Sequence, residues 1–298
     1  MKRTLLALLL AGPIGLARAE NSPPKVAIVI DKLDGAGRPL IDRLSQRLGS
    51  EALVSVRELS AIDVADPIKK GRLVAFLDDR DLVVPVGDEA TRFVSKEVED
   101  ARVFFVGAGI VQGDWLSSKL TAGIFSYNVD QLLDAVQDMP RRTLGFAYTP
   151  GYEPVARWIR RGASRRGIEL REMRITSLKE LAPDIRKLLD SAQIVWVVGD
   201  PMLVRGAGFE FLMQQTLSRR LPVIATGARD IKRGAFMSFE PTMAPLAVLA
   251  SRDISSLLAG KGAPKIEPAP EGVVLVNRTL SGKWGIPAPA SVSYRLVP

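Results

Sequence analysis

The sequence predicts an α/β protein built from two lobes, each a doubly wound parallel sheet with helices on both faces. Two observations lead there. Short β-rich apolar runs alternate with helical patterns along nearly the whole chain, and the alternation falls into two successive sets of similar composition.

The first set begins with "KVAIVI" (25–30), a buried strand. "RPLIDRLSQRLG" (38–49) follows, with Leu40, Ile41, Leu44 and Leu48 on one helical face and Gly49 ending it. "ALVSVREL" (52–59) is the next strand, and "DLVVPVG" (81–87), "EATRFVSKEVED" (89–100) and "ARVFFVGAG" (101–109) repeat strand, helix, strand. "KLTAGIFSYN" (119–128) suits an extended crossover, from its β-branched and turn residues. The second set runs "RTLGFAY" (142–148), an arginine-rich helix, "IELREMRI" (168–175), "SLKELAPDIRKLLDS" (177–191), "QIVWVVG" (193–199), a helix near 208–220 and "LPVIATG" (221–227). After "GAFMSFEP" (234–241) comes a helix over 246–261, closed by Gly260. A proline-rich connector over 263–272 reads as a crossing, and it leads to the strand "VVLVN" (273–277) and a short tail. The implied partition is residues 25–122 with 240–270 in lobe 1, and 126–238 with 273–298 in lobe 2, joined by hinges near 122–127, 236–241 and 268–273.

The first nineteen residues belong to neither lobe. Lys2 and Arg3 precede an apolar run from Leu5 to Leu10, a break at Gly12-Pro13 and the small-x-small pattern Ala17-Arg18-Ala19. That is a secretory leader with cleavage after Ala19, too interrupted for a membrane anchor. With no cysteine, the chain has no lipid-accepting residue and no disulfide, so a freely diffusing periplasmic protein held together by its own core is expected. Removing Lys2, Arg3 and Arg18 lowers the basic count from 41 to 38 against 33 acidic residues, a net charge of +5. So small an excess, spread along an exported chain, does not point to nucleic acid.

With neither histidine nor cysteine, Ser-His-Asp triads, cysteine nucleophiles and His-containing zinc sites are excluded. "GAGIVQG" (107–113) follows a strand but lacks dinucleotide spacing, and no P-loop occurs, so no cofactor is expected. "LDDRDL" (77–82) reads as a turn entering a strand rather than a metal site. A carboxylate-only glycosidase is the enzymatic rival, with Asp88 and Asp200 as its pair; a binding protein is preferred.

In the arginine-rich helix, Val155, Trp158, Ile159, Gly162 and Ala163 form the sheet-facing stripe. Arg157, Arg160, Arg161, Arg165 and Arg166 lie largely off it and read as a solvated face. Before that helix, Tyr148, Thr149, Pro150, Gly151 and Tyr152 occupy the turn at the carboxyl end of a strand, the edge where open α/β sheets hold ligands.

At this stretch the chain resembles a known family. "RRTLGFAYTPGYEPVARWIRRGASRRGIEL" (141–170) is similar to the "K-x-I-G-V-L-Y-N-P … A-A-x-x-x-G-I-E-L" block of the ABC-transporter substrate-binding family that includes predicted tryptophan and tyrosine binders, a branch of the type I periplasmic binding protein fold. Four more blocks are similar and in order: "DLVVPVGDEAT" (81–91), "KLTAGI" (119–124), "IVWVVGDPM" (194–202), and "GKGAPKIEP" with "VLVNRTLSGKWGIPAP" (260–268 and 274–289). The resemblance covers about residues 25 to 290. It implies two lobes joined by a three-crossover hinge and closing on a small molecule delivered to a membrane permease and ATPase. The same fold serving as a periplasmic sensor or adaptor for a membrane receptor is the alternative.

The chain departs from the family where its loops meet the ligand: Gly87-Asp88-Glu89-Ala90-Thr91 replaces Gly-Thr-Pro-Ala-Thr, and Ile110, Val111 and Gln112 follow Gly109. Two carboxylates at that helix start either favour the helix dipole or, facing the cleft, suit a cationic or polyhydroxyl ligand. Strand carboxyl ends nominate Asp88, Thr91, Gly109, Tyr127, Tyr148, Thr149 and Asp200 as ligand contacts, with an amino-acid-like or other small polar or aromatic ligand and a monomeric protein. Intact-mass measurement of the exported protein should show a chain beginning at Glu20; retention of Leu5 to Leu16 would contradict the leader assignment.

Overall fold

A computed structural model describes residues 22–31, 37–111, 113–117, 121–204, 206–261 and 265–298; the segment expected to be a leader and Gln112 lie outside them. Thirteen strands follow in chain order: β1 (Lys25–Asp31), β2 (Leu53–Leu59), β3 (Leu82–Val86), β4 (Val103–Ala108), β5 (Thr121–Phe125), β6 (Thr143–Tyr148), β7 (Glu169–Arg174), β8 (Ile194–Val197), β9 (Val223–Ile224), β10 (Met237–Pro241), β11 (Ile266–Glu267), β12 (Gly272–Asn277) and β13 (Tyr294–Val297). One sheet has the order β11-β5-β4-β3-β1-β2, and the other β13-β12-β10-β9-β8-β6-β7. Every described pairing is parallel except β10 with β12. The fold is a two-lobe α/β architecture, each lobe built on a largely parallel sheet.

Strand β1 shows why the sheets form. Val26, Ile28 and Ile30 point to one face, against Leu40, Leu44 and Leu48 of the helix Arg38–Leu48 and Leu246, Ala250 and Ile254 of the helix Met243–Leu258. Ala27 and Val29 point to the other, against Phe93 and Val94 of the helix Gly87–Glu97. Both faces are dry, so the strand carries no polar alternation. In the second sheet, Leu144, Phe146, Val195 and Trp196 share a core with the helices Glu153–Arg165 and Leu178–Ser191.

Several segments differ from expectation. Residues 121–125 form a fully buried strand of the first sheet, paired with β4 and β11, rather than an extended crossover. The stretch between β2 and β3 forms two helices, Ala61–Ala65 and Pro67–Asp78, started by Ser60 and Asp66, whose side chains accept backbone N–H groups. Only Val223–Ile224 of "LPVIATG" pair in the sheet, and the tail holds the helix Arg278–Trp284 and β13. Among the described residues the chain passes between the sheets at 126–128, at 241–242 and at 268–271. Asn128 ties the first crossing to the third, its Nδ2 donating to the carbonyls of Ala269 (2.8 Å) and Pro270 (3.1 Å). The second meets the third where Thr242 N–H donates to Glu271.

The arginines of the helix Glu153–Arg165 do not all face water. Arg160 donates to Glu153 (2.9 Å), Glu172 (2.7 Å) and the Tyr148 hydroxyl (2.9 Å), and Arg166, just past the helix, donates to Asp134 (2.6 Å) and Asp130 (2.9 Å). Arg157, Arg161 and Arg165 are exposed. The stripe is narrow enough that its flanking positions reach the neighbouring helix and edge strand. Arg160→Gln should therefore lower unfolding free energy by about 1–2 kcal/mol, and Arg161→Gln by less than about 0.5 kcal/mol, in urea titrations of the two variants.

Candidate ligand-binding cleft

Both sheets turn the carboxyl ends of their parallel strands toward each other. The strand order reverses at β1/β3 in one lobe and at β6/β8 in the other, the places where an open sheet leaves a crevice. Beside the first reversal lies a cavity of about 600 Å³. Lobe 1 supplies Asp31 from the end of β1 and Gly87, Asp88 and Glu89 from the helix start after β3; the crossing supplies Ser126; lobe 2 supplies Thr226, Gly227, Arg229, Asp230 and Arg233. A smaller cavity of about 200 Å³ shares Gly87, Gly107, Ser126 and Gly227 and continues toward Glu240 and Pro241 at the second crossing. Gly107, at φ 66, sits where the register of β4 against β5 shifts, a left-handed position that suits glycine.

The walls differ in charge. Lobe 1 presents Asp31, Asp88 and Glu89, the last paired with Arg92 one turn along its helix, while lobe 2 presents Arg229 and Arg233 around Asp230. Arg233 is held 4.0 Å over the Phe209 ring and donates to Asp230 at 3.4 Å. Burial raises the Asp230 carboxyl above the usual range, against the pull of Arg233 and Thr226. Asp88 also organises the cleft: one oxygen accepts from the N–H groups of Gly109 (2.6 Å) and Ile110 (3.0 Å), fixing the loop after β4.

The residues nominated from sequence are placed in three settings. Asp88 lines the main cavity, with Gly109 bonded to it. Thr149 and Asp200 line a separate cavity of about 430 Å³ together with Asp114 and Met202. Asp200 is 2% exposed and accepts from Thr149 N (2.8 Å), Thr149 Oγ1 (2.5 Å) and Met202 N (3.0 Å). Thr91, Tyr127 and Tyr148 face the interior. Tyr148 stacks on Phe146, while Tyr127 stacks on Phe125 and meets the edge of Trp196. Burial raises the Tyr127 hydroxyl far above its ordinary value, and the charge of Asp88 adds to this. Asp31, Thr226 and Arg229 were not nominated, although the strand-end rule used for β3 and β8 finds them when applied to β1 and β9.

Between the two cavities the lobes touch. The Tyr152 hydroxyl accepts from Val111 N–H (3.1 Å), and its single proton faces the carbonyls of Val111 and Gly199. A Cβ on Gly199 would overlap the Gly109 carbonyl, and one on Gly151 would overlap the Gly113 backbone.

This architecture agrees with comparisons to known proteins. A family model described as ABC transporter substrate binding protein matches residues 70–295, and the chain belongs to that family. Solved structures share the fold at low identity. One is an ABC domain in complex with L-Trp from Streptococcus pneumonia (16% identity, 93% of this chain and 100% of that one, TM-score 0.58). Another is a conserved domain protein from Vibrio cholerae (15%, 91% and 100%, 0.53). A third is a ligand-free, open substrate binding protein with adhesive properties from Clostridium difficile (13%, 92% and 100%, 0.52). No curated protein matches the sequence. Among the described residues no helix is long and apolar enough to cross a membrane.

Because Asp200 is buried and accepts three hydrogen bonds whose donors would lose their partner, Asp200→Ala should cost about 2–3 kcal/mol of stability by urea unfolding.

Proposed function

We propose that the protein is an exported, soluble solute-binding protein that captures a small dipolar molecule, amino-acid-like in its charges, and delivers it to an ABC importer. The observation that carries this reading is the charge division of the main cavity, with carboxylates at Asp31, Asp88 and Glu89 on one lobe and guanidinium groups at Arg229 and Arg233 on the other. A ligand bearing an ammonium group and a carboxylate meets an opposite charge on each wall only when both lobes surround it, so its charges favour the closed arrangement. The cavity volume of about 600 Å³ falls in the range of small-molecule sites. Family membership supports the transport role, since such proteins bind small molecules and meet membrane transporter components. Glu89 and Arg229 are the contacts assigned to the two charges, and the protein acts as a monomer in the periplasm.

A thermal-shift screen of the standard amino acids, their decarboxylated amines and small polyols should find at least one amino acid that raises the melting temperature. By calorimetry, Glu89→Gln and Arg229→Gln should each weaken that ligand about tenfold or more. If only amines bind, and Arg229→Gln leaves them unaffected, the dipolar reading fails. A membrane receptor captured by cross-linking, with no ligand from the screen and no small molecule in native mass spectra, would favour the adaptor role.

A further inference from the structure

The main cavity does not end at the groups that carry its charges. The smaller cavity of about 200 Å³ opens from it, through a neck formed by Gly87, Gly107, Ser126, Thr226, Gly227 and Ala228, which line both. None of these six carries a side chain longer than that of threonine. A Cβ on Gly107 would stand 3.6 Å from Leu246 Cδ2, and one on Gly227 would meet nothing within 4 Å, so the neck is open. Beyond it the wall changes character. Leu40 of the helix Arg38–Leu48, Phe239 and Pro241 of β10, and Met243 and Leu246 of the helix Met243–Leu258 line this annex. Among the described residues Glu240 is the one polar side chain beyond the neck, and its carboxylate is paired with Arg295 of β13. Charged groups therefore stand on one side of the neck and hydrocarbon on the other. At about 200 Å³ the annex is smaller than the roughly 300 Å³ at which small-molecule sites begin, a size that suits part of a ligand rather than the whole.

We infer that the annex is a side-chain pocket, and that the captured molecule is an amino acid with an aliphatic tail of about three to five carbons, its charged groups in the main cavity and its tail through the glycine neck. The inference rests on the dipolar reading of the main cavity. Hydrocarbon seated among Leu40, Met243 and Leu246 leaves water without exposing any polar group, whereas a hydroxyl, amide or charged tail would lose its hydration and find no free partner there. The same argument disfavours tryptophan and tyrosine, whose N–H or O–H needs an acceptor when buried, because the one carboxylate at the annex is engaged by Arg295. Ser126 belongs to the first crossing and Pro241 ends β10 at the second, so a seated tail lies against both.

The test uses the full mature chain, refolded from guanidinium to remove any copurified molecule, and calorimetry with L-alanine, L-serine, L-valine, L-leucine, L-phenylalanine, L-tyrosine and L-tryptophan. Valine or leucine should bind best, and leucine at least about tenfold more tightly than alanine, since each buried methylene strengthens binding by about fourfold. Gly227→Val places a side chain in the open space of the neck, and Met243→Phe takes up volume beyond it. Each should lower the leucine-to-alanine affinity ratio about tenfold with near-native far-ultraviolet dichroism, whereas Glu89→Gln should weaken both ligands and leave their ratio as it was. Alanine or serine binding as tightly as leucine would overturn the annex and leave the dipolar reading standing. Tightest binding by phenylalanine, tyrosine or tryptophan would do the same, and so would an unchanged ratio in the folded Gly227→Val and Met243→Phe proteins. Binding of none of these amino acids would overturn the annex together with the dipolar reading. Should one of the two variants fail to fold, the other decides.

Discussion

Everything in this molecule depends on parallel sheets that are covered on both faces. A strand with two dry faces has no position for a polar side chain until it leaves the sheet, so polarity is displaced to the strand ends. The transition is abrupt. The five residues of β3 are all buried, and the next three are Gly87, Asp88 and Glu89. In β1, five buried residues precede Asp31, and β8 is followed within three residues by Asp200. When two such sheets face each other by their carboxyl edges, the displaced polar groups converge, and a charged cleft results from the same rule that makes the cores apolar.

Convergence does not assign roles, and two aspartates in equivalent places show how far roles separate. Each follows a strand at the reversal in its own sheet. Asp200 is enclosed by Thr149 and Met202, and its carboxylate is satisfied where it stands, which makes it a structural group that fixes the turn after β6. Asp88 also holds backbone, but it does so at the wall of the larger cavity, next to Glu89 and opposite Arg229. The difference lies in position: Asp200 holds its turn away from the main cavity, whereas Asp88 holds its loop at that cavity's wall.

The fold was legible because apolar runs and helical stripes have fixed periods, and β1, β3, β4, β6 and β8 stand where those periods place them. Legibility failed where a different force sets the structure. The helix Pro67–Asp78 buries only Leu77, so it leaves little apolar signal and begins at a polar cap. Residues 121–125 contain Gly123 and read as an extended crossover, yet a Cβ at Gly123 would overlap the Phe105 ring, so that glycine serves close packing inside a sheet. In the site, the strand-end rule could locate the turn 148–152 but could not say which tyrosine turns inward and which bridges the lobes. Tyr148 stacks on Phe146 and Tyr152 reaches Val111. Thr226 and Arg229 lie at and just past the end of "LPVIATG", a run whose carboxyl end the rule also covers, and they were missed only because it was not applied there.

The arginines that crowd the stretch after this turn find their explanation in the same place. Arg160 reaches back to Tyr148 and Glu153, the residues on either side of the segment that carries Thr149 and Tyr152, and reaches across to Glu172 on the edge strand β7. It holds the Glu153 carboxyl below the usual range. Arg166 ties the other end of the helix to Asp130 and Asp134 on the helix that follows the first crossing. Taken together these pairs clamp the turn between the sheet edge and the hinge-side helix, so that a hydroxyl at position 152 keeps its place against the opposite lobe. Two arginines of a net positive stretch, Arg160 and Arg166, thus spend their charge internally, on the position of one turn at the cleft, while Arg157 and Arg161 of the same helix face water.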